Sequence, residues 1–476
     1  MTNIESSEKA GAAKESLAHQ LARCLDSSQI AVDNESLNIW GTDWTRSFSI
    51  NPSAIVFPKT TEQIVELVKL APELGISLVP SGGRTGLSGG AVASDNEVVV
   101  SMDRMNQILD FNPVDRIVQC QAGLITARLQ EFATEQNLFY PVDFASSGSS
   151  QIGGNIATNA GGIRVIRYGM TRESIAGLKV VTGTGDVLDL NKGLMKNATG
   201  YDLRHFFIGS EGTLGIVTEA EIRLIPQPEN QIVQVLGVND LRNILQVLQL
   251  FQSKITLSAF EFFSDLAMQK VLEHRDALQR PFSEVCPYYV LLEYDESEDD
   301  SATEAFTEAY ERNLVLDGIV SQSLQQAASL WELREGISES IAPYTPYKND
   351  VSVPVKDIPD FLTEVDQLVQ THYPDFEVCW YGHIGDGNLH LNILRPSDNT
   401  IEEFYERCHS ISPMLFEKIQ QRRGSISAEH GVGLLKRDFL GYSRSDAEMR
   451  LMQQLKSVFD PNGIMNPGKL LTSSTV

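Results

Sequence analysis

The stretch Trp380–Ile393, WYGHIGDGNLHLNI, sets His383 and His390 on either side of an Asp386-Gly387 pair. If that pair makes a two-residue type I′ turn, His383 faces His390 directly, with Cβ atoms about 5 Å apart, and Asn392 shares their face. Two imidazoles so placed can converge on one divalent ion at metal–nitrogen distances of about 2 Å, whereas on a solvated hairpin they are ordinary neutral side chains. Two ligands do not complete a site. Glu429, in SISAEHGVG, offers a carboxylate as third ligand, and two imidazoles plus one carboxylate with an open position is a frequent catalytic zinc arrangement. His430 is adjacent, and neighbours in an extended strand point to opposite faces. Both can serve one site only if the backbone bends, which Gly431 and Gly433 would allow.

A second group lies in Leu330–Val355, LWELREGISESIAPYTPYKNDVSVPV. It reads as a helix with Ile337 and Ile341 on its apolar stripe, stopping before Pro343. Arg334 and Ser338, four apart, then share one face, and Lys348 precedes an alternating strand over Asp350–Val355. On its own, Arg334 is most simply a solvated helix cation.

These groups need elements to hold them. After a polar segment, residues 1–49, with a helix near Ser16–Leu25, the pattern becomes α/β alternation. A strand at Ala54–Phe57, an amphipathic helix at Thr61–Leu70 and a strand at Ser77–Pro80 lead into a glycine block, PSGGRTGLSGG. Strands at Glu97–Ser101 and Asp115–Ala122 precede a second block, SSGSSQIGGNIATNAGG. A third, IGSEGTLG, opens the alternating IVTEAEIRLIP. Clustered glycines let backbone N–H groups converge on an anion, although any one block could simply make turns. None offers the P-loop pattern or the dinucleotide G-x-G-x-x-G. Three blocks in one region point to a large, flat, phosphate-bearing ligand held by main chain. Glycine density falls near Pro226–Asn230, beyond which helices alternate with strands such as Tyr288–Glu293. The terminal FDPNGIMNPGKLL regains the turn-rich character of the first half. The divisions expected are 50–227, 228–424 and 425–476, the last returning to the first.

With 63 acidic against 38 basic residues among 476, the net charge of −25 disfavours nucleic acid and anionic membrane as partners. Five scattered cysteines without a Cys-x-x-Cys argue against a disulfide framework or thiolate metal cluster. With no apolar run of membrane-spanning length and no signal-like N-terminus, a cytoplasmic protein without an integral membrane segment is expected.

PSGGRTGLSGG, IGGNIATNAGG with RYGMTRESI, YDLRHFFIGSEGTLGIVTEA and the terminal NPGK together resemble the vanillyl-alcohol-oxidase-type FAD-binding fold, from about Ile50 onward. Within it the chain is most similar to the FAD-linked 2-hydroxyacid dehydrogenases, and there to the D-2-hydroxyglutarate dehydrogenase type. The resemblance implies an α+β fold, with a two-part FAD domain and a substrate (cap) domain built on an antiparallel sheet. It implies that Pro80, Ser81, Gly82, Gly83, Arg84, Thr85, Gly86 and Gly89 wrap the pyrophosphate. Gly148, Gly153, Gly154, Asn159 and Gly161 would run along phosphates and flavin, Glu211, Gly212 and Ile216 would serve the adenosine side, and Asn466 would touch the flavin. The first two blocks contain neither histidine nor cysteine, so noncovalent FAD is expected.

The resemblance further implies His383, His390 and Glu429 as ligands of a divalent ion, with Zn²⁺ first and Mn²⁺, Co²⁺ or Fe²⁺ compatible. It implies His430 as general base, and Arg334, Ser338 and Lys348, with Asn392, as substrate contacts clamping a distal carboxylate. A planar guanidinium suits that task because it binds a carboxylate bidentately. A distal clamp favours D-2-hydroxyglutarate over D-lactate, glycolate and D-malate. Electrons would pass to an electron-transfer flavoprotein or a quinone-linked acceptor. Direct oxidation by O₂, a noncatalytic flavin-binding sensor and the oligomeric state, with a homodimer among the possibilities, stay open at this level.

Overall fold

The structure is a computed structural model and describes residues 14–472. The described chain divides into two compact units: residues 14–160 with Met170–Gln227 and residues 429–472, and Gly161–Gly169 with Pro228–Ala428.

In the first unit a four-stranded sheet has the order Ile30–Ala31, Ala54–Val56, Val98–Ser101, Leu78–Ser81, its three inner pairings led by two parallel ones. The helix Thr61–Leu74 covers it through Ile64, Leu67, Val68 and Ala71, all buried. Its start is fixed by the Thr60 hydroxyl, which accepts the Gln63 N–H at 3.3 Å. The helix passes Pro72 and ends at Leu74, four residues beyond its expected end at Leu70. Proline so near a terminus removes a single hydrogen bond, and Gly75, at φ +63°, provides the left-handed stop. An antiparallel five-stranded sheet follows, ordered Ile108–Asn112, Ile117–Gln121, Gly215–Arg223, Ile175–Thr182, Val187–Leu190. Val118, Ile152, Ile156, Val180 and Ile222 join Ile64 and Val98 in one core. The C-terminal segment joins this unit: Met465 bridges Leu78, and the Asn466 N–H donates to the Leu78 carbonyl at 2.8 Å. The helix expected near Ser16–Leu25 occupies residues 14–21.

The second unit is built on a seven-stranded antiparallel sheet, in the order Asp317–Val320, Gln231–Val238, Tyr288–Asp295, Leu257–Ser264, Glu377–Gly382, Asn388–Leu394, Tyr347–Ser352. Alternation along Leu257–Ser264 turns Ala259, Glu261 and Phe263 to one face. There Ala259 and Phe263 pack with Leu330, Trp331, Leu333 and Ile337 from the helices above. The segment Gly161–Gly169 is pinned to this unit by Arg164 on Glu293 at 2.9 Å and Arg167 on Asp295 at 2.6 Å.

Three local expectations are corrected. Leu330–Ile341 is not one helix: Leu324–Glu335 stops at Gly336 and Ile337–Ser340 begins anew, because glycine lacks the side chain that would stiffen the helix there. Lys348 lies inside its strand, which runs Tyr347–Ser352 and ends before Pro354, where a missing N–H would break the ladder. The hairpin around Asp386-Gly387 is not a two-residue type I′ turn. Such a turn needs positive φ at both central residues, and of the pair only Gly387 (φ +93°) has it. Strand pairing ends with Tyr381 opposite His390, so His383 stands past the strand end in a longer connection. That connection is closed by the His383 carbonyl, which accepts N–H groups of Asp386 at 3.1 Å and Asn388 at 3.2 Å.

Candidate functional site

The second unit gathers its polar site residues on one sheet face. In antiparallel pairing, directly opposed residues share a face. Tyr381, His390 and Asp350 form one row across three strands, and Cys379, Asn392 and Lys348 form the next. Asn392 thus shares a face with His390 as expected from the period of two. Although His383 is not the cross-strand partner of His390, the two rings have centroids 5.3 Å apart and meet edge to face at 81°.

Each imidazole has a buried carboxylate at Nδ1. Glu261 Oε1 is 2.7 Å from Nδ1 of His383, and Asp350 Oδ1 is 3.7 Å from Nδ1 of His390. Both carboxylates are nearly inaccessible, Glu261 at 1% and Asp350 at 2%. Asp350 is held in turn by the Asn388 amide at 2.7 Å and the Ala428 N–H at 3.1 Å. The strand Tyr347–Ser352 also bridges Ser425, so the chain is stitched beside Asp350 up to Ala428, the residue before Glu429. With Nδ1 of His383 engaged by Glu261, coordination by that ring runs through Nε2, as histidine ligands with carboxylate partners do. Nitrogen donors of this kind fit a divalent ion of the zinc type.

Arg334 is buried beside Tyr381. The Arg334 guanidinium lies over its ring at 4.8 Å, with Nη2 2.7 Å from Glu261 Oε2. That ion pair is close but misaligned: Nη2 and Nε of Arg334 and Oε2 of Glu261 make no hydrogen bond. Buried guanidinium donors left this way suit an anionic ligand. Lys348 donates to the Ser338 hydroxyl at 3.2 Å. Its surface stays open to water, yet desolvation by the surrounding protein holds its pKa below the ordinary lysine value. Burial pushes the Tyr381 hydroxyl up to about 12, with Arg334 opposing, so this phenol stays protonated. Asn392, 1% exposed, directs its amide to the carbonyl of His390 at 3.2 Å.

In the first unit the glycine blocks pack on one another. A Cβ at Gly83 would lie 2.0 Å from the Ser149 carbonyl oxygen, and one at Gly212 would lie 3.0 Å from Pro80. These glycines bring the blocks together. By contrast, a Cβ at Gly148 or Gly154 would meet nothing within 4 Å, so that side of the second block is open. The Ser81 hydroxyl and Asn466 Oδ1 are buried there without a hydrogen-bond partner, while the Asn466 amide donates to the carbonyls of Glu211 at 2.7 Å and Gly90 at 2.9 Å. An open glycine face with orphaned buried polar atoms fits a flavin dinucleotide. Arg84 (φ +58°), Gly89 (φ +79°) and Asn159 (φ +50°) occupy left-handed turns in these blocks. Gly82, Thr85, Gly86 and Gly153 follow in the same blocks; a Cβ at Gly153 would press the Ala122 side chain at 2.7 Å. Two residues sit differently from the expected grouping. Gly161 clusters with the second unit, and Ile216 turns its side chain into the core.

Glu429 and His430 occupy a bend rather than a strand, with Gly431 at φ +81° and Gly433 at φ +51°. The bend is latched by Glu211, whose two carboxylate oxygens accept the N–H groups of Val432 and Gly433, each at 2.7 Å. Burial raises the Glu211 pKa, and those two bonds with Lys436 pull against it. Sequence reasoning missed Glu261, Asp350, Tyr381 and this latch. Period two placed Tyr381 and Asp350 near the histidines, but the signal for Glu261 was only a lone acid in an otherwise apolar strand, LSAFEFFS.

Residues 52–191 match the FAD binding domain family, and residues 227–470 match the C-terminal domain of FAD linked oxidases. The chain is 56% identical over 460 residues to the D-2-hydroxyglutarate dehydrogenase of Stutzerimonas stutzeri (strain A1501), covering 96% of this chain and 99% of that one. It is 50% identical over 453 residues to the enzyme of that name from Xanthomonas citri pv. viticola, covering 94% and 96%. Among solved structures, p-cresol methylhydroxylase with substrate bound aligns with a TM-score of 0.74 at 16% identity, over 96% of each chain. That likeness shows the fold, the α+β arrangement of the vanillyl-alcohol-oxidase type. No helix among the described residues is long and apolar enough to cross a membrane.

Proposed function

The chain belongs to the D-2-hydroxyglutarate dehydrogenase family of FAD-linked oxidoreductases, and from that premise we propose that it oxidises D-2-hydroxyglutarate to 2-oxoglutarate with the aid of a divalent ion. The observation carrying this beyond the family is the pair of imidazoles, His383 and His390, with ring centroids 5.3 Å apart and a buried carboxylate at each Nδ1. A carboxylate behind the ring is the partner that metal-ligating histidines commonly have.

His383, His390 and Glu429 hold the ion, of which Zn²⁺ is the first choice for this donor set. When bound, the ion supplies Lewis acidity to the substrate's 2-hydroxyl and C1 carboxylate, and noncovalent FAD supplies the hydride acceptor. His430 takes the hydroxyl proton. Arg334, Ser338 and Lys348 clamp the distal carboxylate, and Asn392 braces the sheet face beside His390. The clamp is what favours a dicarboxylate: D-lactate and glycolate have no second carboxylate to meet the buried Arg334 guanidinium and Lys348. D-Malate, one methylene shorter, is discriminated by only about 1–3 kcal/mol. In the first unit Pro80–Gly86 with Gly89, Gly148–Asn159, Gly161, Glu211, Gly212, Ile216 and Asn466 shape the FAD site, mostly through main chain. Electrons would leave for an electron-transfer flavoprotein or a quinone-linked acceptor, in the cytoplasm.

The test is anaerobic bleaching of the visible flavin band with a panel of D- and L-hydroxyacids. D-2-Hydroxyglutarate should bleach it fastest. Faster bleaching by D-lactate, or by an L-isomer, would overturn the substrate assignment.

A further inference from the structure

The carboxylate of Glu261 joins two groups with separate tasks. It stands 1% exposed on the strand Leu257–Ser264, on the face that otherwise carries Ala259 and Phe263. One oxygen is 2.7 Å from Nδ1 of His383 and the other 2.7 Å from Nη2 of Arg334. A lone carboxylate in so apolar a face is costly unless both its oxygens are matched by donors or cations. Removing it would take the charge partner from the buried Arg334 guanidinium.

We propose that Glu261 is a positioning residue shared by the metal ligand and the substrate clamp. Toward His383 it accepts the Nδ1 proton, which fixes the tautomer and presents Nε2 as the only ring nitrogen for coordination. Toward Arg334 it supplies the charge that keeps a guanidinium buried, while its misalignment leaves Nε and Nη2 without hydrogen bonds and available to an incoming carboxylate. His383 lies in a connection outside the strand ladder, and Glu261, from the middle of the sheet, meets its Nδ1 at 2.7 Å and orients the ring. Asp350, the carboxylate near His390, is itself held by the Asn388 amide and the Ala428 N–H.

The inference rests on His383 being a metal ligand, and its experiment separates the two. Bound divalent metal per FAD is measured by elemental analysis after dialysis of the FAD-loaded protein against graded chelator, for wild type, Glu261→Gln and Glu261→Ala. Outer carboxylates on ligand histidines typically change metal affinity about 10–100-fold. Glu261→Ala should therefore release the ion at correspondingly weaker chelation. Glu261→Gln should fall near the lower end, because an amide can accept from His383 but cannot also offset the Arg334 charge. The visible flavin band should be unchanged in both. Glu261→Gln has the same size, so it decides the matter if Glu261→Ala yields no folded protein. A Michaelis constant for D-2-hydroxyglutarate that rises more than that for D-lactate is the second readout, one that a purely structural role would not produce. Wild-type metal retention in Glu261→Gln together with an unchanged ratio of Michaelis constants overturns the inference. A wild type that retains no ion removes the ligand set itself, and this inference with it.

Discussion

His383 and His390 hold their rings 5.3 Å apart without being cross-strand partners. His390 belongs to the strand ladder, opposite Tyr381, whereas His383 is carried over by a connection in which its own carbonyl closes the turn. One imidazole is thus fixed by the sheet and the other carried by a loop braced from behind. The loop-borne histidine is the one that needs the closer carboxylate, and Glu261 is the closer of the two, at 2.7 Å against 3.7 Å for Asp350.

Two glycine substitutions separate folding from cofactor capture. A Cβ at Gly83 runs into the Ser149 carbonyl at 2.0 Å, so Gly83→Ala should lower the melting temperature of the flavin-free protein. Gly154 faces open space, so Gly154→Ala should leave that temperature unchanged and weaken FAD binding, read by retained flavin absorbance after gel filtration. Equal effects of the two on flavin-free stability would contradict an open glycine face.

Lys348→Ala should reduce kcat/KM for D-2-hydroxyglutarate by about 10–100-fold, as loss of a charge-assisted bond of about 1.5–3 kcal/mol implies, and change D-lactate turnover little. Desolvation lowers the Lys348 pKa, so its cationic form is lost at lower pH than for an ordinary lysine. The Michaelis constant for the dicarboxylate should then rise on the alkaline side, below the usual lysine range, and Lys348→Arg should abolish that rise. Equal losses on both substrates would remove the distal clamp.

Glu211→Ala strands the N–H groups of Val432 and Gly433, at a cost of roughly 1–3 kcal/mol each. A drop of several degrees in the melting temperature of the FAD-loaded protein is expected. The pH dependence carries a sign. Burial raises the folded pKa of Glu211 above its ordinary value, so its linkage contribution is fully present below the unfolded pKa and is lost as pH rises through the raised one. Glu211→Ala should remove that falling component from the stability profile between those limits. An unchanged profile and melting temperature would show that the bend after His430 does not depend on this carboxylate.

Much of this was legible in the residues. Period two in the stretch NLHLNI placed His390 and Asn392 on one face, and the glycine-rich blocks announced a main-chain ligand cradle. The turn was misjudged because Asp-Gly favours type I′ only when the strands continue to it. Here the ladder stops at Tyr381, and Gly382, where a Cβ would lie 2.5 Å from the Asn388 carbonyl, starts a wider connection. The Arg334 helix was drawn too long because Gly336 in a helical pattern does not by itself announce a break. Glu261 was invisible for a different reason: its partners lie 73 and 122 positions away, and only sheet order brings them together.

The central claim is that a divalent ion on His383, His390 and Glu429 serves the reaction separately from the flavin. Its most direct test is exhaustive chelation of the purified protein, followed by the flavin spectrum and D-2-hydroxyglutarate turnover on the same sample. The account predicts an intact flavin band with turnover lost, and turnover regained on adding Zn²⁺ or a related divalent ion. Full turnover after complete removal of bound metal would contradict it.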